Sequence, residues 1–239
     1  MDISTLIALQ FIAHLFTDYF LQSDKLAKEK NELGFKSKFL RAHFVIAFLT
    51  SWILSFQVKF VLVAIIIAIS HVIIDGLKKH INTHKIIGRY AFFIDQILHI
   101  SVFTIASIIF DKYFTLYQLY GITIEWNYVL IVTGYLLCLK PANILIKQIF
   151  NTYGIADQTD DDLEKAGRLI GSLERMLTLT FVIMGEYEAV GFLIAAKSIL
   201  RFKEGDTKKT EYVLIGTMLS FVIAIGIGIL VLKLKLHNI

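Results

Sequence analysis

Seven apolar stretches, each about as long as a membrane crossing, leave this chain few ways to fold. They cover residues 3–22, 38–56, 58–77, 91–110, 126–146, 175–200 and 211–234. A helix needs about 20 mostly apolar residues to cross hydrocarbon. In lipid every backbone N–H and C=O must pair within the protein, which permits helices or closed barrels. These runs are too long and too continuously apolar for barrel strands. The expected fold is all-α, a polytopic transmembrane helical bundle of about 6–7 spans. Composition agrees, with 56% hydrophobic and 18% charged residues and a mean hydropathy of +0.67. Soluble domains hold about 45–50% apolar and about 25% charged residues, so a soluble enzyme is excluded.

The 239 residues suit a single transmembrane domain, 1–239, with a four-span part at 1–110 and further spans at 111–239. Lysine-rich loops mark the cytoplasmic side. The first loop carries Lys25, Lys28, Lys30, Lys36, Lys38 and Arg41, and the third carries Lys78, Lys79, Lys85 and Arg89. Both are therefore expected inside, with the N-terminus outside, in the inner membrane of a bacterial cell. No basic n-region precedes the first apolar run, so no cleaved signal peptide is expected. Acidic residues at Asp157, Asp160, Asp161, Asp162 and Glu164 mark the start of a cytoplasmic amphipathic segment at 157–172, since acids suit a helix N-terminus. Pro141 should kink or end the fifth span. Gly185, Glu186 and Glu188 interrupt the sixth, which is either one helix or two short re-entrant pieces. Re-entrance would keep the basic loop 201–210 inside.

Within the apolar runs stand His14-x-x-x-Asp18, His43, His71-x-x-x-Asp75 and Asp95-x-x-x-His99. Ionisable residues are costly in hydrocarbon and face a protein interior or a wet cavity. Each pair, four residues apart, lies on one helix face. The topology puts all seven in the cytoplasmic half of the membrane, from four helices. Mixed histidine and carboxylate ligands are a known helical-bundle metal site and suit zinc, iron, manganese or nickel better than copper(I) or iron–sulfur clusters. A divalent metal is expected, zinc favoured. Seven ligands exceed one tetrahedral site, so there are either two ions or one ion with a catalytic acid and base. His14, His43, His71, Asp75 and His99 are the candidate ligands, with Asp18 and Asp95 as candidate catalytic carboxylates. The alternative is that these groups are interhelical hydrogen bonds that hold the bundle together.

Arg175, Arg201 and Lys140 are candidates to hold an anionic head group, or else interface anchors. Gln22 and Gln96 stand beside the acids, either orienting them or capping helix ends. Glu186 and Glu188 are either a proton or cation relay or a helix break. His80, His84 and His237 read as solvated. The only cysteine, Cys138, excludes an intramolecular disulfide and a cysteine metal cluster. No basic surface interleaved with aromatics points to nucleic acid. Membrane lipid is the expected surrounding.

The stretches HLFTDYFLQSDKLAKEK (14–30), His43, HVIIDGLK (71–78) and IDQILH (94–99) resemble the N-terminal half of a bacterial membrane family catalogued as domain of unknown function 3307. AGRLIGSLERM (166–176), AVGFLIAAKSILRF (189–202) and EYVLIGTMLSF (211–221) are also similar to it. The resemblance implies an integral membrane protein of bacteria and no particular reaction. The histidine–aspartate pattern has a looser likeness to membrane-bound metal-dependent hydrolases, an analogy of motif style. Three functions follow as expectations: a metal-dependent hydrolase acting on a lipid-like or anionic substrate at the cytoplasmic face, a metal-ion or proton-coupled transporter, or a non-catalytic membrane adaptor.

Overall fold

The computed structural model describes residues 1–84, 87–117, 124–155, 161–201 and 207–236, without the side chains of 161–165, 200–201 and 207–211. It is all-helical among these residues. Packing divides the chain into two compact units, Met1–Val129 and Leu130–Ile239.

The first unit is built on α1 (Ile3–Leu15), α2 (Asp24–Leu33), α3 (Phe39–Ser55), α4 (Val61–Asn82) and α5 (Ala91–Tyr113). Asp2 caps α1, its carboxylate accepting from the Thr5 N–H. A π-helical turn, Phe16–Phe20, extends α1. Helices α1, α3, α4 and α5 each pack on two neighbours and close a four-helix ring. The buried seam of each recurs at helical spacing: Gln10 and His14 on α1, His43, Ala47, Ser51 and Ser55 on α3. Helix α4 buries Ala64, Ile67, His71 and Asp75, and α5 buries Asp95, His99, Phe103 and Ser107.

The outward faces are the apolar ones. On α4, Leu62, Ile66, Ile69 and Ile73 are exposed. A polar seam inside and an aliphatic face outside invert the pattern of a protein in water, where such a face would be an association surface. Lipid tails suit it. Ile3–Phe20, Val58–Asn82, Ile87–Tyr113 and Tyr212–Leu236 are long and apolar enough to cross a membrane. Among the described residues the count is four, or up to six if each of two bent pairs is one span.

The first bent pair joins α2 and its trailing 3-10 turn to α3 at 107°. Ser23 caps α2, and Gly34, at φ +57°, ends it. The stretch then docks on α4 where Gly76 leaves room: a Cβ there would overlap the Phe35 ring.

The second unit holds most of α6 (Trp126–Cys138) with α7 (Lys140–Tyr153), α8 (Asp161–Met184), α9 (Tyr187–Arg201) and α10 (Thr207–Leu236). Pro141 stands in the first turn of α7, and α6 and α7 meet at 47°. The expected break at Pro141 is present. Helices α8 and α10 pack closely at Gly228, where a Cβ would overlap Val182.

The sixth expected span, 175–200, is not one helix. The chain leaves α8 at Gly185, which has φ +81°, and enters α9. Glu174 and Lys197, about equally far from that break, form an ion pair, so α8 and α9 run back along each other as a hairpin. Of the expected amphipathic segment, 157–160 lies outside the described residues. The remainder is not separate from the following run, because α8 continues unbroken through both.

Candidate functional site

Helices α1 and α4 run toward one end of the ring, and α3 and α5 start there. That antiparallel order stacks the seam into layers. Asp18, His43, Asp75 and Asp95 stand at the end, with His14, His71 and His99 one turn deeper. All seven expected residues therefore come together inside the first unit. His43, Asp75, Asp95 and His99 are at most 3% exposed. The π-helical turn was not legible in the sequence. It re-aims Asp18 so that one carboxylate oxygen serves α3 and α4, while the other stays 3.9 Å from His14 Nδ1. Such turns often mark functional positions.

Four donor atoms crowd together at the centre. Asp18 Oδ1 lies 3.1 Å from His43 Nε2 and 3.0 Å from His71 Nε2. The two imidazole nitrogens are 3.0 Å apart. Asp75 Oδ2 lies 3.2 Å from His43 Nε2 and 3.5 Å from His71 Nε2. An imidazole Nε2 carries at most one hydrogen, so hydrogen bonds cannot account for all of these approaches. Ligands about 2.0–2.1 Å from a tetrahedral zinc ion stand about 3.3 Å from one another. The donor set and its spacing fit such an ion.

A resident cation is already present. Lys30, from α2, is 3% exposed. Its ammonium donates to Asp75 Oδ2 at 2.7 Å and Gln22 Oε1 at 3.0 Å, and lies 3.2 Å from His43 Nε2. Lys78 donates to Asp95 Oδ2 at 2.9 Å. Sequence reasoning had put both lysines among the loop charges. Lys78, three residues after Asp75, carried a weak signal. Lys30 carried none, since nothing in the run separates it from Lys25 or Lys28.

Gln96 ties α5 to α1. It donates to Asp95 Oδ2 and accepts at Oε1 from Tyr19 and from His14 Nε2. With the amide so oriented, His14 carries its hydrogen on Nε2. Its Nδ1 then holds a lone pair, and this atom is buried without a hydrogen-bond partner. His99 Nε2, Asp75 Oδ1 and Asp95 Oδ1 are likewise buried and unpartnered. A cavity of about 20 Å³ borders His14, His71 and His99, room for about one water. A larger open hollow of about 430 Å³ lies at the other end of the unit, between Met1, Asp2 and 111–116, and no histidine lines it.

Toward that other end the seam first stays polar, with Thr17 bonded to Thr50 and Ser51 to Gln10. It is then closed by packed Leu6, Phe60, Phe103 and Phe110.

The other expected binding residues belong to the second unit. Arg175 is buried there. Its guanidinium donates to Cys138 O at 2.7 Å, Ser220 Oγ at 3.0 Å, Asn143 Oδ1 at 2.7 Å and Ser172 Oγ at 3.1 Å. The Cys138 carbonyl is one that the break before Pro141 removes from the helix ladder, so Arg175 staples the bend. Lys140 is half-buried at the start of α7. The side chain of Arg201 lies outside the described residues, as does His237. Glu186 and Glu188 are exposed at the α8–α9 break, and His80 and His84 are exposed.

No curated protein and no solved structure matches the chain. A family model matches residues 6–129, more than half of the chain, and encloses His14, Asp18, His43, His71, Asp75, Asp95 and His99. The similar stretches at 166–176, 189–202 and 211–221 lie beyond that match. The chain belongs to the family described as Protein of unknown function (DUF3307).

Proposed function

We propose that this chain is a membrane-embedded, metal-dependent hydrolase of the bacterial inner membrane, acting on a lipid-like, anionic substrate at the cytoplasmic face. The N-terminus is then outside, and the cluster, beside the lysine-rich first and third loops, is inside. The observation that carries the reading is the crowding of Asp18 Oδ1, His43 Nε2, His71 Nε2 and Asp75 Oδ2. Those four residues would hold the ion, zinc being favoured by the mixed donors and their spacing; because four protein ligands close a tetrahedral shell, a fifth position would have to open for water. When bound, the ion supplies Lewis acidity and makes water a nucleophile near neutral pH.

The chain's own groups do the rest. Asp18, a candidate base from sequence, becomes a ligand. His14 takes the proton, because its Nδ1 is unpartnered beside the small cavity and an imidazole is suited to proton transfer near pH 7. Lys30 and Lys78, both at the cluster, are the cations that an anionic head group would draw away from Asp75 and Asp95, whereas Arg175 is tied to four protein acceptors in the second unit. Lys140 and Arg201 keep that binding role only as proposals. The site is covered by α2, so the substrate enters by displacing Lys30.

Elemental analysis of the purified protein tests this reading. About one equivalent or more of a divalent ion is expected in the wild type, and a loss of ion in His71→Ala. A wild type that holds no ion after reconstitution with Zn²⁺, and whose fold is unchanged by His71→Ala, would sink the proposal.

Transport is the second reading, and the polar pairs Thr17–Thr50 and Gln10–Ser51 favour it by extending the cluster into the bundle. The apolar packing of Leu6, Phe60, Phe103 and Phe110 opposes it. Ion flux in proteoliposomes, abolished by Asp75→Asn, would decide for transport.

A further inference from the structure

We propose that the outer face of α2, with the turn that follows it, is a docking surface for anionic phospholipid at the rim of the buried cluster. The inference stands whether or not the cluster holds an ion. It rests on the reading that this end of the bundle lies at a membrane surface.

Helix α2 sits across the end of the ring. With its trailing 3-10 turn it meets α3 at 107°, so where α3 crosses the membrane, α2 lies close to the plane of the surface. One side of α2 is turned inward: Leu26 and Ala27 are half-buried, and Lys30 is buried at the cluster. The other side bears Lys25 and Lys28, both exposed, and the segment continues with exposed Lys36, Lys38 and Arg41. Two exposed acids, Asp24 and Glu32, stand among these five cations. Lys28 lies 3.9 Å from Glu32, and a pair so exposed binds weakly. Among the described residues, the side chains of Lys25, Lys36, Lys38 and Arg41 have no hydrogen-bond or ion-pair partner. The face therefore carries a surplus of positive charge that the chain itself does not neutralise.

Apolar anchors accompany the charge. Leu21, Leu33 and Phe35 flank α2 and are exposed. Lysines on the polar side, with leucine and phenylalanine beside them, are the composition of a helix that lies in the head-group layer. Basic residues clustered next to a span attract anionic lipid, each by up to about fivefold in affinity. An acidic protein or a nucleic acid would satisfy the charges but would leave Leu21, Leu33 and Phe35 without an apolar phase. The same helix covers the cluster with Lys30. Anionic head groups gathered by its outer face therefore stand at the edge of the site, which raises the local concentration of anionic ligand there.

The test uses the full chain in detergent micelles, titrated with phosphatidylglycerol or phosphatidylcholine. Native mass spectrometry reads the lipid bound and the number of chains together. The wild type is expected to bind phosphatidylglycerol about tenfold or more tighter than phosphatidylcholine. Lys25→Gln, Lys28→Gln, Lys36→Gln and Lys38→Gln combined should remove most of that preference. The pair Lys25→Gln and Lys28→Gln gives a smaller loss should the fourfold variant not fold. Lys233→Gln with Lys235→Gln, exposed at the end of α10, should keep the preference. Equal binding of the two lipids by the wild type overturns the proposal, as does a preference that the fourfold variant retains or that the α10 variant loses equally. A wild-type dimer that the fourfold variant makes monomeric assigns the face to a second copy instead and also overturns it. The metal content of the fourfold variant is expected to match the wild type, so failure of this proposal leaves the hydrolase reading standing.

Discussion

Each unit buries polar side chains in an apolar helical setting, but the two do so differently. Among the described residues of Leu130–Ile239 the buried charge is a single guanidinium, and its hydrogen bonds go to a carbonyl, an amide and two hydroxyls. Its geometry is complete, and it repairs the ladder broken at Pro141. In Met1–Val129 three carboxylates, four imidazoles and two ammonium groups share one end of a bundle. There some nitrogens have too many close neighbours and others have no hydrogen-bond partner. Buried polar groups are normally satisfied. A satisfied network explains itself as architecture, whereas crowded and orphaned atoms side by side need a further occupant.

Lys30→Met tests this contrast most severely. If the Lys30–Asp75 pair is only a staple, its loss leaves a buried carboxylate uncompensated and costs about 3–5 kcal/mol, with no change in ion binding. The expected outcome is that loss in metal-free protein, offset when Zn²⁺ is added, together with tighter Zn²⁺ binding by calorimetry. The ammonium and the ion compete for Asp75 Oδ2. Unchanged affinity would break the comparison, because the first unit would then be stapled like the second. Arg175→Leu comes next, since it strips several acceptors of a charged donor. A loss of about 3 kcal/mol is expected in denaturant unfolding, with ion content unchanged. An altered ion content would show that Arg175 is more than a staple.

Gly76→Ala puts a methyl into the Phe35 ring. Overpacking of this kind costs about 1–3 kcal/mol, and the expected readout is faster hydrogen exchange across 24–36 as α2 lifts from α4. The smallest effect is expected from Thr50→Val. It removes one interhelical hydrogen bond, worth about 1 kcal/mol, and should leave hydrolysis of a phospholipid or phosphate-monoester substrate unchanged. If Thr50→Val instead reduces ion flux in proteoliposomes, the polar seam is a path and the transport reading gains.

Much of the first unit was legible beforehand because helical period and membrane thickness are rigid constraints. Spacing by four residues placed His71 with Asp75 and Asp95 with His99 on buried faces, and alternating loop charge placed both pairs at one end. The π-helical turn at Phe16–Phe20 was hidden, since one extra residue in a turn leaves no compositional mark. The role of Lys30 was hidden for a related reason. A lysine in a charged helix is ordinary until the docking of Phe35 on Gly76 turns that helix over the cluster.

By itself the sequence determined a chain of apolar helices, a break at Pro141 and a set of histidines and aspartates at common depth. These follow from local rules of period, length and backbone chemistry. Only the tertiary structure decided which atoms meet. Asp18 turns toward His43 and His71, two lysines enter the cluster, Arg175 is spent on its own fold, and 175–200 folds back as part of a hairpin. Such outcomes depend on helix rotation and on contacts between residues far apart in the chain, where a shift of 1 Å (about the difference between a hydrogen bond and none) separates a bonded pair from an open one.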